Sequence, residues 1–140
     1  MILFIDNNVL LDVLQEREPH YKKSFAIWDI CAHGKQNTIG YVSALTFADI
    51  VYIMRKQVAY NEIDNLLARI TKVFRVADLT LHDLSSAANM KWRDFEDAVQ
   101  SAIAERINAN YIITRNANDF QSSKVQAVTP EDYFTNIFVV

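Results

Sequence analysis

The chain has 140 residues, of which 51% are hydrophobic and 22% charged, and a formal net charge of -3. That mix suits a single folded domain over 1–140 with a buried core; it argues against disorder and against a protein that grips nucleic acid by bulk positive charge. Glycine occurs only twice, at Gly34 and Gly40, which leaves no room for a phosphate-cradling loop of the Walker type or for a dinucleotide fingerprint.

The first element read along the chain is an apolar run, Ile2 to Ile5, expected to be a short buried strand. Asn8 to Gln15 carries Val9, Leu10, Val13 and Leu14 as a helical stripe. Tyr21 to Cys31 repeats apolar residues at helical spacing after Pro19, and Gly34 closes it. Thr38 to Val42 reads as a strand, and Ser43 as the N-cap of a helix reaching about Lys56. A helix over Asn61 to Thr71, a strand at Val73 to Val76, and helices over Thr80 to Met90 and Asp94 to Ile107 follow. Tyr111 to Ile113 and Val125 to Val128 are expected strands, and Thr129-Pro130-Glu131-Asp132 opens a last helix with a capping Thr and a Pro at its first position. Strands alternate with helices, which predicts an α/β sandwich around a mostly parallel sheet.

Cys31 is the only cysteine, so no internal disulfide forms, and its place in an apolar stripe marks it as core. Asp6 interrupts the N-terminal apolar run, and no stretch reaches the roughly 18–20 apolar residues that span a bilayer. A cytoplasmic protein with no membrane partner is the expectation.

The chemistry lies in the carboxylates. In parallel sheets, ligands gather beyond the carboxyl ends of strands. Asp6-Asn7-Asn8 follows the first strand; Thr114-Arg115-Asn116, with Asp119 three residues on, follows the strand at Tyr111. Asp6 serves equally as a helix N-cap. Asp49 is the only charged residue between Tyr41 and Met54. The helix around it is apolar on nearly every face, so this acid needs a cation, a donor or a metal. Asp94 and Asp97 share a helix face, where first-turn acids also favour the macrodipole. Several aspartates without Cys or His partners suit a hard ion, Mg²⁺ or Mn²⁺, and suit Zn²⁺ poorly. His20, His33 and His82 have no ligand-like spacing.

Four segments together resemble the PIN-domain nucleases, including the ribonuclease toxins of the VapC type: FIDNNVLLDVL from Phe4, VSALTFADIVY from Val42, DFEDAVQSAIAERINANYIITRNANDF from Asp94, and AVTPEDYF from Ala127. The resemblance implies a three-layer α/β/α sandwich, a divalent-metal site and endonucleolytic cleavage of single-stranded RNA. Asp6, Asp49 and Asp97 match the family's first three acids, and Asp94 is an extra acid beside the third. The fourth acid is replaced by Asn116, so Asp119 stands in or the metal site is weaker. Asn8 and Ser43 match polar residues lining such sites, and Thr114 and Arg115 match flanking ones. The metal set implied is Asp6, Asp49, Asp97 and Asp119, with Asp94 assisting catalysis and Asn8, Ser43, Thr114, Arg115 and Asn116 positioning water or phosphate.

Two other readings stand beside this one. A phosphatase of the haloacid-dehalogenase kind also begins with an aspartate after its first strand, but normally carries a second Asp where this chain has Asn8. A PIN-like module that binds RNA or a partner without cleaving it is favoured by Asn116. Apolar surplus at Phe47, Tyr52, Met54 and the tail Ile137-Phe138-Val139-Val140 is either absorbed by the helix over Asn61 to Thr71 and the core or covered by a partner; the family resemblance favours the partner, implying a homodimer and an antitoxin protein.

Overall fold

The computed structural model describes residues 1–139. Its sheet is built on β1 (Ile2–Ile5), which pairs with β2 (Ile39–Ser43) on one side and β4 (Tyr111–Ile113) on the other. β3 (Arg75–Ala77) extends the sheet beyond β2, and β5 (Ala127–Val128) beyond β4, giving the order β3-β2-β1-β4-β5. All the described pairings are parallel. The chain moves outward in one direction from β1 through β3, then restarts on the other side at β4. The crevice at that reversal, between β1 and β4, opens at the carboxyl ends of the strands.

Alternation along the strands creates the layers. Leu3 and Ile5 of β1 and Ile113 of β4 face one cluster, which gathers Val9, Leu10 and Val13 of α1 (Asn7–Leu14) and Ile27 and Ile30 of α2 (Tyr21–Ala32). The same cluster takes Ile50 of α3 (Ala44–Ile53), Leu66 and Ile70 of α4 (Ile63–Thr71) and Tyr133 of α7 (Pro130–Asn136). Phe4 and Ile112 face the other way, onto Ala87 of α5 (Leu81–Met90) and Ala98, Val99 and Ile103 of α6 (Phe95–Arg106). One residue of offset along a strand swaps faces. The outcome is the three-layer α/β/α sandwich expected from the sequence.

Boundaries moved where backbone donors were already engaged. The amides of Val73 and Phe74 donate to the Ile70 carbonyl at 3.1 and 2.9 Å, finishing α4, so β3 starts at Arg75 rather than Val73. The Val125 amide donates to Ser123 Oγ at 3.2 Å, which leaves β5 two residues long. α3 ends at Ile53, short of Lys56.

The expectation that α3 is buried on nearly every face is corrected. Thr46, Ile50 and, just past its end, Met54 are buried, but Tyr52 and Ile53 are 66% and 42% exposed. The helix packs on α1 and β2 through one side and leaves the other in water. Ile137 and Phe138 of the tail pack on the first core cluster, with the Phe138 ring 5.4 Å from that of Phe134. Val139 is exposed, and Val140 lies outside the described residues. Among the described residues no helix is long and apolar enough to cross a membrane.

Candidate active site

Asp6 leaves β1 at its carboxyl end and caps α1, its Oδ1 accepting from the Asn7 amide at 2.8 Å. Its Oδ2 accepts from Thr114 Oγ1, at the end of β4, also at 2.8 Å. The N-cap reading and the site reading of Asp6 are therefore compatible: one oxygen does each. Burial pushes the Asp6 carboxyl above the ordinary range. The Thr114 and Asn7 hydrogen bonds pull it down, and the charges of Asp94 and Asp119 push it up further.

Thr114 is fully buried and ties several residues to this point. Its hydroxyl oxygen accepts from Asn8 Nδ2 at 3.3 Å and from the Asn116 amide at 3.1 Å, while Asn8 Oδ1 accepts from the Arg115 amide at 3.2 Å. The Arg115 guanidinium turns away from the acids, donating from Nε to the buried Asp12 at 2.9 Å. Ser24 Oγ donates to the same Asp12 oxygen at 2.9 Å.

A second group stands across Asn7. Asn7 Nδ2 donates to Asp49 Oδ2 at 3.1 Å and to Glu96 Oε1 at 3.3 Å, and its Oδ1 accepts from Thr46 Oγ1 at 2.7 Å. Gln100 Nε2 donates to Thr46 Oγ1 at 2.9 Å from beneath. Ser43 caps α3 by accepting the Thr46 amide at 3.0 Å, and is itself buried. The hydrogen bond between Glu96 and Asp49 raises the Glu96 pKa most, followed by burial and the Asp49 and Asp94 charges, to about 8.

Asp97, on α6, completes the first group. Burial pushes its carboxyl up most, and Asp94, Asp6 and Asp119 add repulsion, to about 7. Asp94 caps α6, its Oδ1 accepting the Asp97 amide at 3.0 Å. Asp119 is exposed on the 3-10 turn Ala117–Phe120. A cleft of about 860 Å³ opens beside Asp94, Asp97 and Asp119.

The acids thus form two groups at one edge: Asp6, Asp94, Asp97 and Asp119, and Asp49 with Glu96. Among the described residues, no three Asp, Glu, His or Cys side chains are placed as a ready metal cage. Asn7, Thr46, Glu96 and Gln100 belong to the site and were not singled out from sequence. A signal for two of them existed: Glu96 and Gln100 are four apart on α6, so they share a face, and Gln100 is a polar residue within a buried run. Outside the site, Cys31 is buried core, its thiol pushed up to about 12 by that burial.

Solved structures share this architecture. VapBC2 of Rickettsia felis, bound to a promoter DNA fragment, matches with a TM-score of 0.69 and 14% identity, over 92% of this chain and 98% of the other. A toxin–antitoxin complex of Klebsiella pneumoniae matches with a TM-score of 0.69 and 17% identity, over 91% and 97%. VapC20 of Mycobacterium tuberculosis, described as a sarcin–ricin-loop-cleaving toxin, matches with a TM-score of 0.62 and 13% identity, over 79% and 86%. A search of curated protein sequences found no match. The family profile described as the PIN domain matches residues 3–118, spanning β1 and every acid of the two groups except Asp119, and the chain belongs to the PIN-domain family.

Proposed function

We propose that this chain is a metal-dependent endoribonuclease, one domain over 1–140, that hydrolyses phosphodiester bonds of single-stranded RNA in the cytoplasm as the toxin of a toxin–antitoxin pair. One observation carries the reading: carboxylates from separate segments gather at the carboxyl edge of the sheet, where burial and neighbouring carboxylates together hold Asp6, Glu96 and Asp97 above their ordinary pKa. A fold keeps such a cluster when a cation relieves the repulsion.

The donors fit Mg²⁺ or Mn²⁺, being hard oxygens without thiolate or imidazole. Mg²⁺ usually keeps several waters and takes few protein carboxylates directly. Asp6 and Asp97 would hold the ion, with Asp119 and, across Asn7, Asp49 completing the set. When bound, the ion supplies an activated water and neutralises charge on the phosphate. Thr114 fixes the rotamer of Asp6, and Asn7 fixes Asp49 and Glu96. Asp94 orients the first turn of α6 and with it Asp97. Asn8 and Ser43 hold this framework from behind, while the exposed Asn116 is free to meet a phosphate oxygen or water. Arg115 acts through its amide and through Asp12 rather than by reaching the substrate.

The solved structures described above as toxin–antitoxin complexes and as a cleaving toxin support an antitoxin partner and an RNA substrate. Asn116 at the fourth acid position favours the second reading, a PIN module that binds without cleaving. One assay separates them. Incubation with single-stranded RNA and Mg²⁺ or Mn²⁺ is expected to give cleavage that EDTA stops and that Asp97→Asn slows roughly a hundredfold or more. Cleavage insensitive to EDTA, or unchanged in Asp97→Asn, overturns the proposal.

A further inference from the structure

The cleft beside Asp94, Asp97 and Asp119 is also walled by residues of a different chemistry: Lys91, Trp92, Arg93 and Phe95. Phe95 is the first residue of α6 and is 50% exposed; it packs against neither core cluster, although most of the helix behind it is buried. Trp92 is half-buried and meets Phe120 edge-on, with ring centroids 6.1 Å apart.

The cations of this wall are uncommitted. Every other arginine in the described residues donates a side-chain hydrogen bond, pairs with an acid or lies over an aromatic ring. Arg93 alone among them does none of these. Lys91 likewise forms no ion pair among the described residues. Lys91 also holds a left-handed backbone, φ 59 and ψ 32, at the C-cap of α5. Glycine is the residue that takes this position without strain. A lysine there costs stability and gains no ion pair among the described residues.

Exposed aromatics interleaved with unpaired cations are what a single-stranded polynucleotide needs, since bases stack on rings and phosphates meet charges. A volume of about 860 Å³ lies in the range of pockets that hold small organic ligands. We propose that this wall is the subsite for the nucleotide adjoining the scissile phosphate: its base stacks on Phe95 beside Trp92, and its phosphate is taken by Arg93 and Lys91. The subsite rests on the RNA-cleaving reading and adds to it the residues that choose where the strand lies. It also explains how a chain of net charge -3 accepts a polyanion. The cations are placed next to the acids rather than spread over the surface.

Binding needs no turnover, so it is read separately, as fluorescence anisotropy of a labelled single-stranded hexaribonucleotide with the full chain and Mg²⁺, cleavage being blocked by Asp97→Asn. Phe95→Leu keeps the apolar bulk and removes the ring, and is expected to weaken binding roughly tenfold or more; Phe95→Tyr is expected to stay within about threefold of the parent. Lys91→Gly is expected to weaken binding while raising Tm, because it removes a charge and relieves the backbone together. Trp28 is buried, so the hexanucleotide should quench emission from Trp92. Equal affinity in Phe95→Leu and the parent, or unchanged Trp92 emission on binding, overturns the subsite even if RNA is cleaved. Tight binding that obeys these variants without cleavage by the unmodified chain upholds the subsite and overturns the nuclease reading.

Discussion

Glu96 and Asp97 keep protons in the folded chain that the same residues release when it unfolds. Their pKa values stand at about 8 and about 7, against ordinary values of 4.5 and 3.8. Between those limits the native state binds more protons than the unfolded one, so stability is full below pH 4 on this account and falls as pH rises through 7 and 8. In EDTA, Tm is expected to drop from pH 5.5 to pH 8.5; with saturating Mg²⁺ or Mn²⁺ it should drop less, since an ion favours the ionised cluster and stabilises the state that binds it. A scanning calorimetry series with parallel slopes in EDTA and in metal would refute this coupling. Arg115 illustrates a separate kind of charge. It neutralises Asp12, which is fully buried, and thereby ties α1 to the turn after β4. Buried carboxylates of that kind hold geometry and do no chemistry, and only their surroundings distinguish them from Asp6.

At the scale of elements, Gly40 decides how close β2 and α2 come. A Cβ there would stand 2.7 Å from Cys31 Sγ and 2.7 Å from the Phe74 ring. Gly40→Ala is expected to lower stability by about 1–3 kcal/mol, because both neighbours are core residues with little room to shift. Urea denaturation checks it, and an unchanged midpoint would contradict the close packing. The alternation of strands and helices was legible in the sequence because it rests on local period and capping. Ser43, Asp94 and Thr129 cap the helices they announce. The strand ends at Val73 and Val125 were not legible, since they depend on which acceptor an amide finds in three dimensions. The site divided in the same way. Asp6, Asp49, Asp94 and Asp97 stand out as acids beside apolar runs. Asn7, Thr46 and Gln100 acquire meaning only through hydrogen bonds spanning 39 to 93 residues of sequence. Tyr52 misled in the opposite sense, because an apolar helix reads as buried whether its cover is its own chain or another.

Across the whole molecule, that exposed face joins several apolar side chains left in water among the described residues. Tyr52 is 66% exposed, Tyr60 91% and Leu67 39%, and they belong to α3, α4 and the turn between them. The cost of leaving this face in water motivates the expectation that a second copy covers it. Light scattering at micromolar concentration is expected to give about twice the 16.1 kDa of one chain, and Tyr52→Arg to shift the mass toward one chain. A clean single-chain mass for the unmodified protein removes the dimer.

The placement of β1 at the middle of the sheet also sets when, on the toxin reading proposed above, the active site comes into being. Leu3 pairs with Tyr111 and Asp6 with Thr114, across 108 residues in each case. A chain still emerging from the ribosome holds β1 with one edge bare and Asp6 without its partner until β4 has been released. Domains whose contacts are that far apart in sequence assemble late, because the long loop must close before any contact rewards it. Nascent and prematurely terminated chains therefore lack the assembled acids altogether. On that same reading, synthesis itself would provide an interval in which a co-produced antitoxin accumulates before the first finished molecule is active.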